Sequence, residues 1–390
     1  MKLIYIFNAE IKSEKASVVQ AVCMCDAFAS RGIDVELVVP VSKIKNNFSY
    51  DYLTNRFGIN ARMELSFYKK IQFFNRLGII GSYFGIKKYL IGRKADIYFT
   101  RCPMIFAILV KKKLPVIFES HNSKLHNTIK IFDIYWGKKV VRASQSNYCL
   151  VYIAISQNLS KFWSNKGVPT SKILSLHDGF NYQLFKSNIN KIQARFKLNL
   201  PKNKKIIMYS GSLYPDREIE NIISLAKHFS DIFFLIIGGP QENANQYQLL
   251  AKEEQVINIQ FIGPIRHSQI PLYLYASDVL LALWSNKVPT INFCSPLKIF
   301  EYMAAGRVIV AHGFPTIREV IRHKQNGLLV EPDNFKDLVE KVKMALSPGN
   351  RDMEKQTRLE AFSKYTWDKR VNRILETLNY SKRSCHKTSK

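Results

Sequence analysis

Short apolar runs recur along the chain, each followed by a polar loop and then by a stretch whose apolar residues fall at helical spacing. The first run covers residues 3–7; a helix is expected over 16–30, Gly32 ends it, and 34–39 forms the next strand. Further runs at 96–100, 116–119 and 152–156 alternate with helical patterns at 102–112 and 131–147. Continuous apolar runs of this length suit parallel strands covered on both faces, and the alternation predicts an α/β fold of Rossmann type. Residues 186–204, basic and containing Pro201, read as a connector. A second series then follows, with strands expected at 205–209, 232–237, 256–262, 278–283, 307–311 and 328–330. The predicted organisation is two Rossmann-like domains, 1–185 and 186–365, a closing helix over 366–380 that crosses back to the first domain, and a basic tail over 381–390.

In an open parallel sheet, ligands bind beyond the carboxyl ends of the strands. That rule places Glu119, Ser120, His121 and Asn122 at the binding edge of the first domain, and Gly211, Gly238-Gly239 and Gly263 at that of the second. His121 is the one ring on its edge able to titrate near neutral pH; a loop histidine satisfied by local backbone is the plain alternative. The first loop, from Asn8 to Lys15, lacks the G-x-G-x-x-G fingerprint, which argues against a dinucleotide cofactor there.

The stretch Ser295-Pro296-Leu297-Lys298 followed by Glu301 and Gly306 reads as a short helix with Ser295 as N-cap and Pro296 at the first helical position. Its free amide groups and the positive end of the helix would bind an anion, and Lys298 adds a charge in the first turn. Glu301, three positions on, would sit behind a phosphate, where it can accept hydrogen bonds from sugar hydroxyls. An ordinary capped helix with a surface Lys–Glu pair is the other reading.

Composition adds a partner of opposite charge. The 390 residues carry 58 Lys and Arg against 30 Asp and Glu, a net charge of +28, which points to nucleic acid, anionic lipid or a phosphorylated substrate. From Lys69 to Lys94 there are seven basic residues and no acidic one, interleaved with Phe73, Phe74, Tyr83, Phe84 and Tyr89. That is the composition of a segment lying on an anionic membrane, although a packed segment with solvated lysines or an RNA contact fits too, and Gly78, Gly81, Gly85 and Gly92 are expected to break any single long helix. The six cysteines lack the spacing of a zinc site or a disulfide framework and suit a reducing cytosol. The apolar start is too short for a signal sequence, and no run approaches the roughly 20 residues of a membrane span.

The 295–306 stretch resembles the nucleotide-sugar signature of the retaining glycosyltransferases of family 4, which have the GT-B fold: Pro296, Lys298, Phe300, Glu301, Ala304, Ala305 and Gly306 all fall where the family's motif has them. The order Gly211, Gly238-Gly239, Gly263 and then this helix is similar to the family's C-terminal domain, and so are Glu319 and the Asn326-Gly327 turn. The resemblance implies two domains facing across a cleft. It also implies a hexosyl transfer without metal or other cofactor, from a UDP- or GDP-sugar to a saccharide or polyprenyl-diphosphate-linked acceptor, in the synthesis of lipopolysaccharide, capsule or O-antigen. Catalytic roles would fall to His121, Arg217 and Lys298. Donor contacts would come from Gly211, Arg217, Gly239, Gly263, Ser295, Pro296, Leu297, Lys298 and Glu301; Ser17 and Asn122 would face the acceptor. The expected place is cytoplasmic, peripheral at the inner face of the cell membrane, with no nucleic-acid partner. Two departures stand out: Phe293 where many members carry a second glutamate eight positions before Glu301, and Ser212 where a first arginine is common. They leave room for a catalytically inactive nucleotide-binding subunit, as the architecture itself does for a nucleotide-sugar epimerase.

Overall fold

The computed structural model describes residues 1–12, 15–41, 50–69, 78–123, 130–187 and 189–387. Contacts divide the chain into two units, Met1–Asp178 together with Trp367–Lys390, and Gly179–Thr366.

Among the described residues of the first unit, seven parallel strands stand in the order β3-β2-β1-β4-β5-β6-β7. They are β1 (Lys2–Ile6), β2 (Asp34–Val41), β3 (Glu64–Lys69), β4 (Ile97–Thr100), β5 (Val116–Ser120), β6 (Cys149–Ala154) and β7 (Ile173–Ser175). The order reverses between β1 and β4, the switch point at which doubly wound sheets bind ligands. Periodicity missed β3, whose residues other than Tyr68 are exposed or half-exposed, and the three-residue β7. The strand expected over 152–156 starts earlier, at Cys149, because Cys149 pairs with Val116 across a register shift. It also ends earlier, because the Ser156 hydroxyl accepts the Leu159 N–H at 3.2 Å as a helix cap. Of the glycines expected to break a long helix, Gly81 and Gly85 lie within one that runs Gly78–Tyr89 and ends before Gly92. Gly85 instead brings this helix against β3, since a Cβ there would lie 2.3 Å from the Lys69 carbonyl oxygen. Residues 70–77 of the basic, aromatic segment, Phe73 and Phe74 included, lie outside the described residues. The closing helix, Trp367–Lys387, belongs to the first unit and packs on the Ala16–Ala29 helix and on β6.

Six parallel strands of the second unit stand in the order β10-β9-β8-β11-β12-β13: β8 (Ile206–Ser210), β9 (Phe233–Ile237), β10 (Ile259–Gly263), β11 (Val279–Ala282), β12 (Val308–His312) and β13 (Leu328–Val330). Alternate residues of each strand feed two separate cores. Ile206, Met208, Leu280 and Ala282 pack with Ile299, Phe300 and Met303 of the Leu297–Ala305 helix; Ile207, Tyr209, Val279 and Leu281 pack with Ile219, Ile222 and Ile223. Burial on both faces is why these strands read as unbroken apolar runs. Here the switch point falls between β8 and β11, which pair Leu281 with Tyr209. Among the described residues, no helix is long and apolar enough to cross a membrane.

Gly85 and Gly137 make a matched pair. Gly137 lies within the Lys130–Ser144 helix and a Cβ there meets nothing within 4 Å, so Gly137→Ala is expected to stabilise by about 1 kcal/mol through helix propensity. Gly85→Ala, against the Lys69 carbonyl, is expected to destabilise by about 1–3 kcal/mol. Urea denaturation of the two variants checks this; equal effects would contradict the close approach.

Candidate active site

In the second unit the chain leaves β8 through Gly211, whose φ of +144° favours glycine and whose Cβ, if present, would stand 2.7 Å from the Lys298 Nζ. Gly238, after β9, is tighter still: a Cβ there would lie 1.7 Å from the Gly211 carbonyl oxygen. The Gly238 N–H donates to the Gly263 carbonyl at 2.9 Å, and the Gly211 N–H to Ile237 at 2.9 Å. Three strand ends are thus stacked backbone on backbone. Gly239 accepts the Leu213 N–H at 2.8 Å through its carbonyl, and the side of Gly263 is taken by the Gln241 side chain.

The helix that faces this edge is Leu297–Ala305. Its start corrects the expected cap: Pro296, not Ser295, is the capping residue, in an extended conformation with ψ of 122°, and no side chain caps the helix. A proline there closes a tight first turn, in which the Pro296 carbonyl accepts the Ile299 N–H at 3.1 Å, and Ser295 is buried just before it. Tyr302 fixes the helix to the sheet. Its hydroxyl accepts the Ser210 N–H at 2.8 Å and faces the Leu281 carbonyl at 3.3 Å, one contact on each strand of the switch point.

Lys298 therefore points back toward β8. Its ammonium lies 3.8 Å from the centre of the Tyr209 ring and 5.3 Å from that of Trp284, is buried, and has no hydrogen-bond acceptor among the described residues. Burial, and then the Arg217 charge, hold its pKa well below that of an ordinary lysine, with Glu301 opposing. Arg217, read from the sequence as the first residue of the next helix, does not begin one. It ends a tight turn, Pro215–Arg217, and the helix starts at Ile219 after Glu218 at φ +57°. Ser212, at the position where an arginine was expected, accepts the Arg217 Nε–H at 3.0 Å. The Arg217 Nη1 lies 3.3 Å from the Asp216 carboxylate but makes no hydrogen bond. One Glu301 oxygen is 2.5 Å from His267 Nε2, which fixes the carboxylate and leaves its other oxygen. His267, four residues past Gly263, escaped the sequence reading; an imidazole in a loop beyond a strand end was the available signal. Gly211, Arg217, Lys298 and Glu301 come together in one place. Gly239 and Gly263 line the neighbouring strand ends.

In the first unit the predicted residues gather around one carboxylate. Glu119 is fully buried at the end of β5. It meets Arg370 at 2.8 Å, His121 Nε2 at 2.6 Å and Gln20 Nε2 at 2.6 Å, with Arg101 Nε at 3.9 Å. Burial pushes Glu119 up, but Arg370, His121 and Arg101 outweigh it and hold the carboxyl well below the usual range. His121 is pushed down to about 4 by burial and then by Arg101, so it is a neutral ring that donates its Nε2–H to Glu119. Arg101, directly after β4, also donates to the Ser17 carbonyl at 3.2 Å and to the Gln20 amide oxygen at 2.6 Å. Asn122 accepts from the Ser120 hydroxyl at 3.3 Å. Sequence reasoning passed over Arg101, although its place after a predicted strand marked it. Nothing local pointed to Arg370, 251 positions after Glu119. Among the described residues, no group of three or more His, Cys, Asp or Glu side chains is placed to hold a metal ion.

Residues 190–364 match the family described as glycosyl transferases group 1. The chain is 25% identical over 275 residues to an uncharacterised glycosyltransferase of Methanocaldococcus jannaschii, covering 67% of this chain and 64% of that one. It is 23% identical over 239 residues to the lipopolysaccharide 1,2-N-acetylglucosaminetransferase of Salmonella typhimurium, covering 58% and 61%. The matches span 48–64% of the length of these and two further curated relatives. By fold it is similar to the Anabaena protein HepE solved with UDP-glucose, with a TM-score of 0.72, 14% identity, and 96% and 99% of the two chains covered. The two Rossmann-like sheets are those of the GT-B architecture.

The buried charges of the first unit set a pH dependence. Since His121 titrates near 4 when folded and at about 6.5 when unfolded, its contribution is present above pH ~6.5 and is lost as pH falls toward the folded value. Asp178 works the other way: burial raises it to about 7, with Glu119 adding to the rise and Arg370 opposing. Its contribution is present at low pH and lost as pH climbs through that value. His121→Gln removes the first effect and keeps the second. Relative to the unaltered protein, the variant is expected to gain on the order of 2 kcal/mol on moving from pH ~7.5 to ~5. Denaturant titrations at the two pH values measure it, and an unchanged difference would show that His121 is not held neutral.

Proposed function

With residues 190–364 matching the family described as glycosyl transferases group 1, we propose that the protein is a hexosyltransferase, moving a sugar from a nucleotide-sugar donor to a saccharide acceptor in cell-surface polysaccharide synthesis. The observation that carries this is the Lys298 ammonium: buried, without an acceptor, beside Gly211 and under the charge of Arg217. A diphosphate supplies the acceptor oxygens and the negative charge that this place lacks. Gly211 leaves room for the backbone to approach it. Glu301, oriented by His267, offers its second oxygen to ribose hydroxyls.

In the reaction, the bond between the sugar's anomeric carbon and the diphosphate oxygen breaks, and its electron pair leaves with the diphosphate. Lys298 and Arg217 neutralise the charge that builds there, the task a metal ion performs in other transferases, so the transfer is metal-independent. The acceptor hydroxyl oxygen bonds to the anomeric carbon from the same face, and its proton passes to the departing diphosphate; configuration is retained. In the first unit, His121 serves as a neutral contact for a sugar hydroxyl, held by Glu119, and Ser17 and Asn122 lie on the acceptor side. Phe293 and Ser212 alter donor binding without abolishing it, Ser212 by orienting Arg217. A lipid-linked acceptor at the inner face of the membrane fits the net charge of +28. UDP is the first nucleotide to try, since HepE, of the same fold, was solved with UDP-glucose.

Radiolabelled UDP-, GDP- and ADP-sugars offered with native membranes are expected to give label in lipid from one donor, undiminished by EDTA. Arg217→Ala or Lys298→Met is expected to lower the rate by about 10²–10³. Label that appears only with added metal would overturn the metal-free mechanism, and full activity in both variants would overturn the site. A second expectation concerns protons. Burial and Arg217 lower the pKa of the amine in the free protein, whereas a bound diphosphate raises it, so nucleotide binding takes up protons between the two values and weakens as pH rises toward the ordinary lysine value. Calorimetry in two buffers of different ionisation enthalpy reads this uptake, which Lys298→Met should abolish; equal heats for the unaltered protein would remove Lys298 from the diphosphate.

A further inference from the structure

From Gly179 to Lys205 the chain has seven basic residues and no acidic one, and the short Lys191–Lys197 helix within it is turned inside out. Its arginine goes inward. Arg195 is 5% exposed and donates to the carbonyls of Ala276, Lys202 and Lys204 and to the Asp278 carboxylate at 2.6 Å. Lys191 follows it onto Asp278 at 2.6 Å. The apolar side chains go outward: Ile192 is 74% exposed and Phe196, one turn on, is 72% exposed. Together with Ile189, Lys197 and Lys202 they line a groove of about 610 Å³, and the Lys202 ammonium lies 5.7 Å from the centre of the Phe196 ring.

An aliphatic and an aromatic side chain left in water, edged by Lys197 and Lys202, need a partner that takes both properties. A second copy of this chain would set lysine against lysine. An anionic bilayer does not: its headgroups neutralise the ammonium groups, the lysine stems snorkel, and the two apolar side chains enter the boundary of the acyl region. We propose that the Ile192–Phe196 face is a contact of the protein with a membrane surface containing anionic lipid. The observation is independent of the donor site and of the 69–94 segment.

The test uses the full chain with Phe196→Trp, and Ile257→Trp as a control at a side chain 96% exposed elsewhere on the same unit. Vesicles carry brominated acyl chains, with phosphatidylglycerol mixed into phosphatidylcholine or left out. Phe196→Trp is expected to add a fluorescence component quenched by the brominated lipid on the anionic vesicles, fading with salt; the control adds none. The double variant Ile192→Asp, Phe196→Asp should weaken partitioning about tenfold or more. Three results would overturn the proposal. Unquenched Phe196→Trp on vesicles that do bind the protein would put the membrane contact elsewhere. Equal quenching on neutral vesicles would remove the electrostatic part, and self-association abolished by the double variant would assign the face to a second copy.

Discussion

Two cations held close together in a dry place repel each other, and the second unit is built so that they stay there. Lys298 cannot relax outward, because its helix is tied by Tyr302 to the ends of β8 and β11. It cannot find an acceptor either. What it has is the face of Tyr209 at 3.8 Å and that of Trp284 at 5.3 Å, worth about 1–2 kcal/mol where water is excluded, against a burial cost that already drives its pKa down. Arg217 is held in turn by Ser212 and Asp216. A polypeptide keeps such a conflict when a ligand resolves it.

The glycines make the conflict geometrically attainable. A side chain at Gly211 would strike the Lys298 ammonium, and one at Gly238 would strike the backbone at Gly211. The three strand ends therefore close to backbone contact and leave one narrow place for a charge from the facing helix. The first unit solves the opposite problem. There the buried centre is an anion, Glu119, with the Arg370 cation at 2.8 Å and the neutral His121 ring donating to it at 2.6 Å. Removing one partner from such a network leaves an uncompensated charge, at a cost of about 3–5 kcal/mol. The closing helix is thereby a structural part of the first unit, since Arg370 also donates to the carbonyls of Leu176 and His177.

Asp278 shows how the excess positive charge is sorted. It draws Arg195 and Lys191 to the start of β11, with Lys205 at 3.7 Å, and so turns the outer face of the Lys191–Lys197 helix into an apolar strip edged by Lys197 and Lys202. One inward carboxylate decides which side of a seven-residue helix meets the solvent.

Strands buried on both faces write themselves as continuous apolar runs, so the α/β class, the repetition of a strand–helix series in two halves, and the place of Gly211, Gly263, Lys298 and Glu301 at strand ends or on a helix were legible from residue order. The half-exposed β3 was not, because its pattern lacks the unbroken apolar run. Neither was the helix through Gly81 and Gly85, because a glycine's local preference yields to a close approach that only the folded chain creates. Tertiary structure alone decided which charges meet. Glu119 with Arg370, Glu301 with His267 and Lys298 with no acceptor are pairings, or the lack of one, between residues distant in sequence, and electrostatic energy depends on separation and burial in space, neither of which a residue's neighbours in the chain can specify.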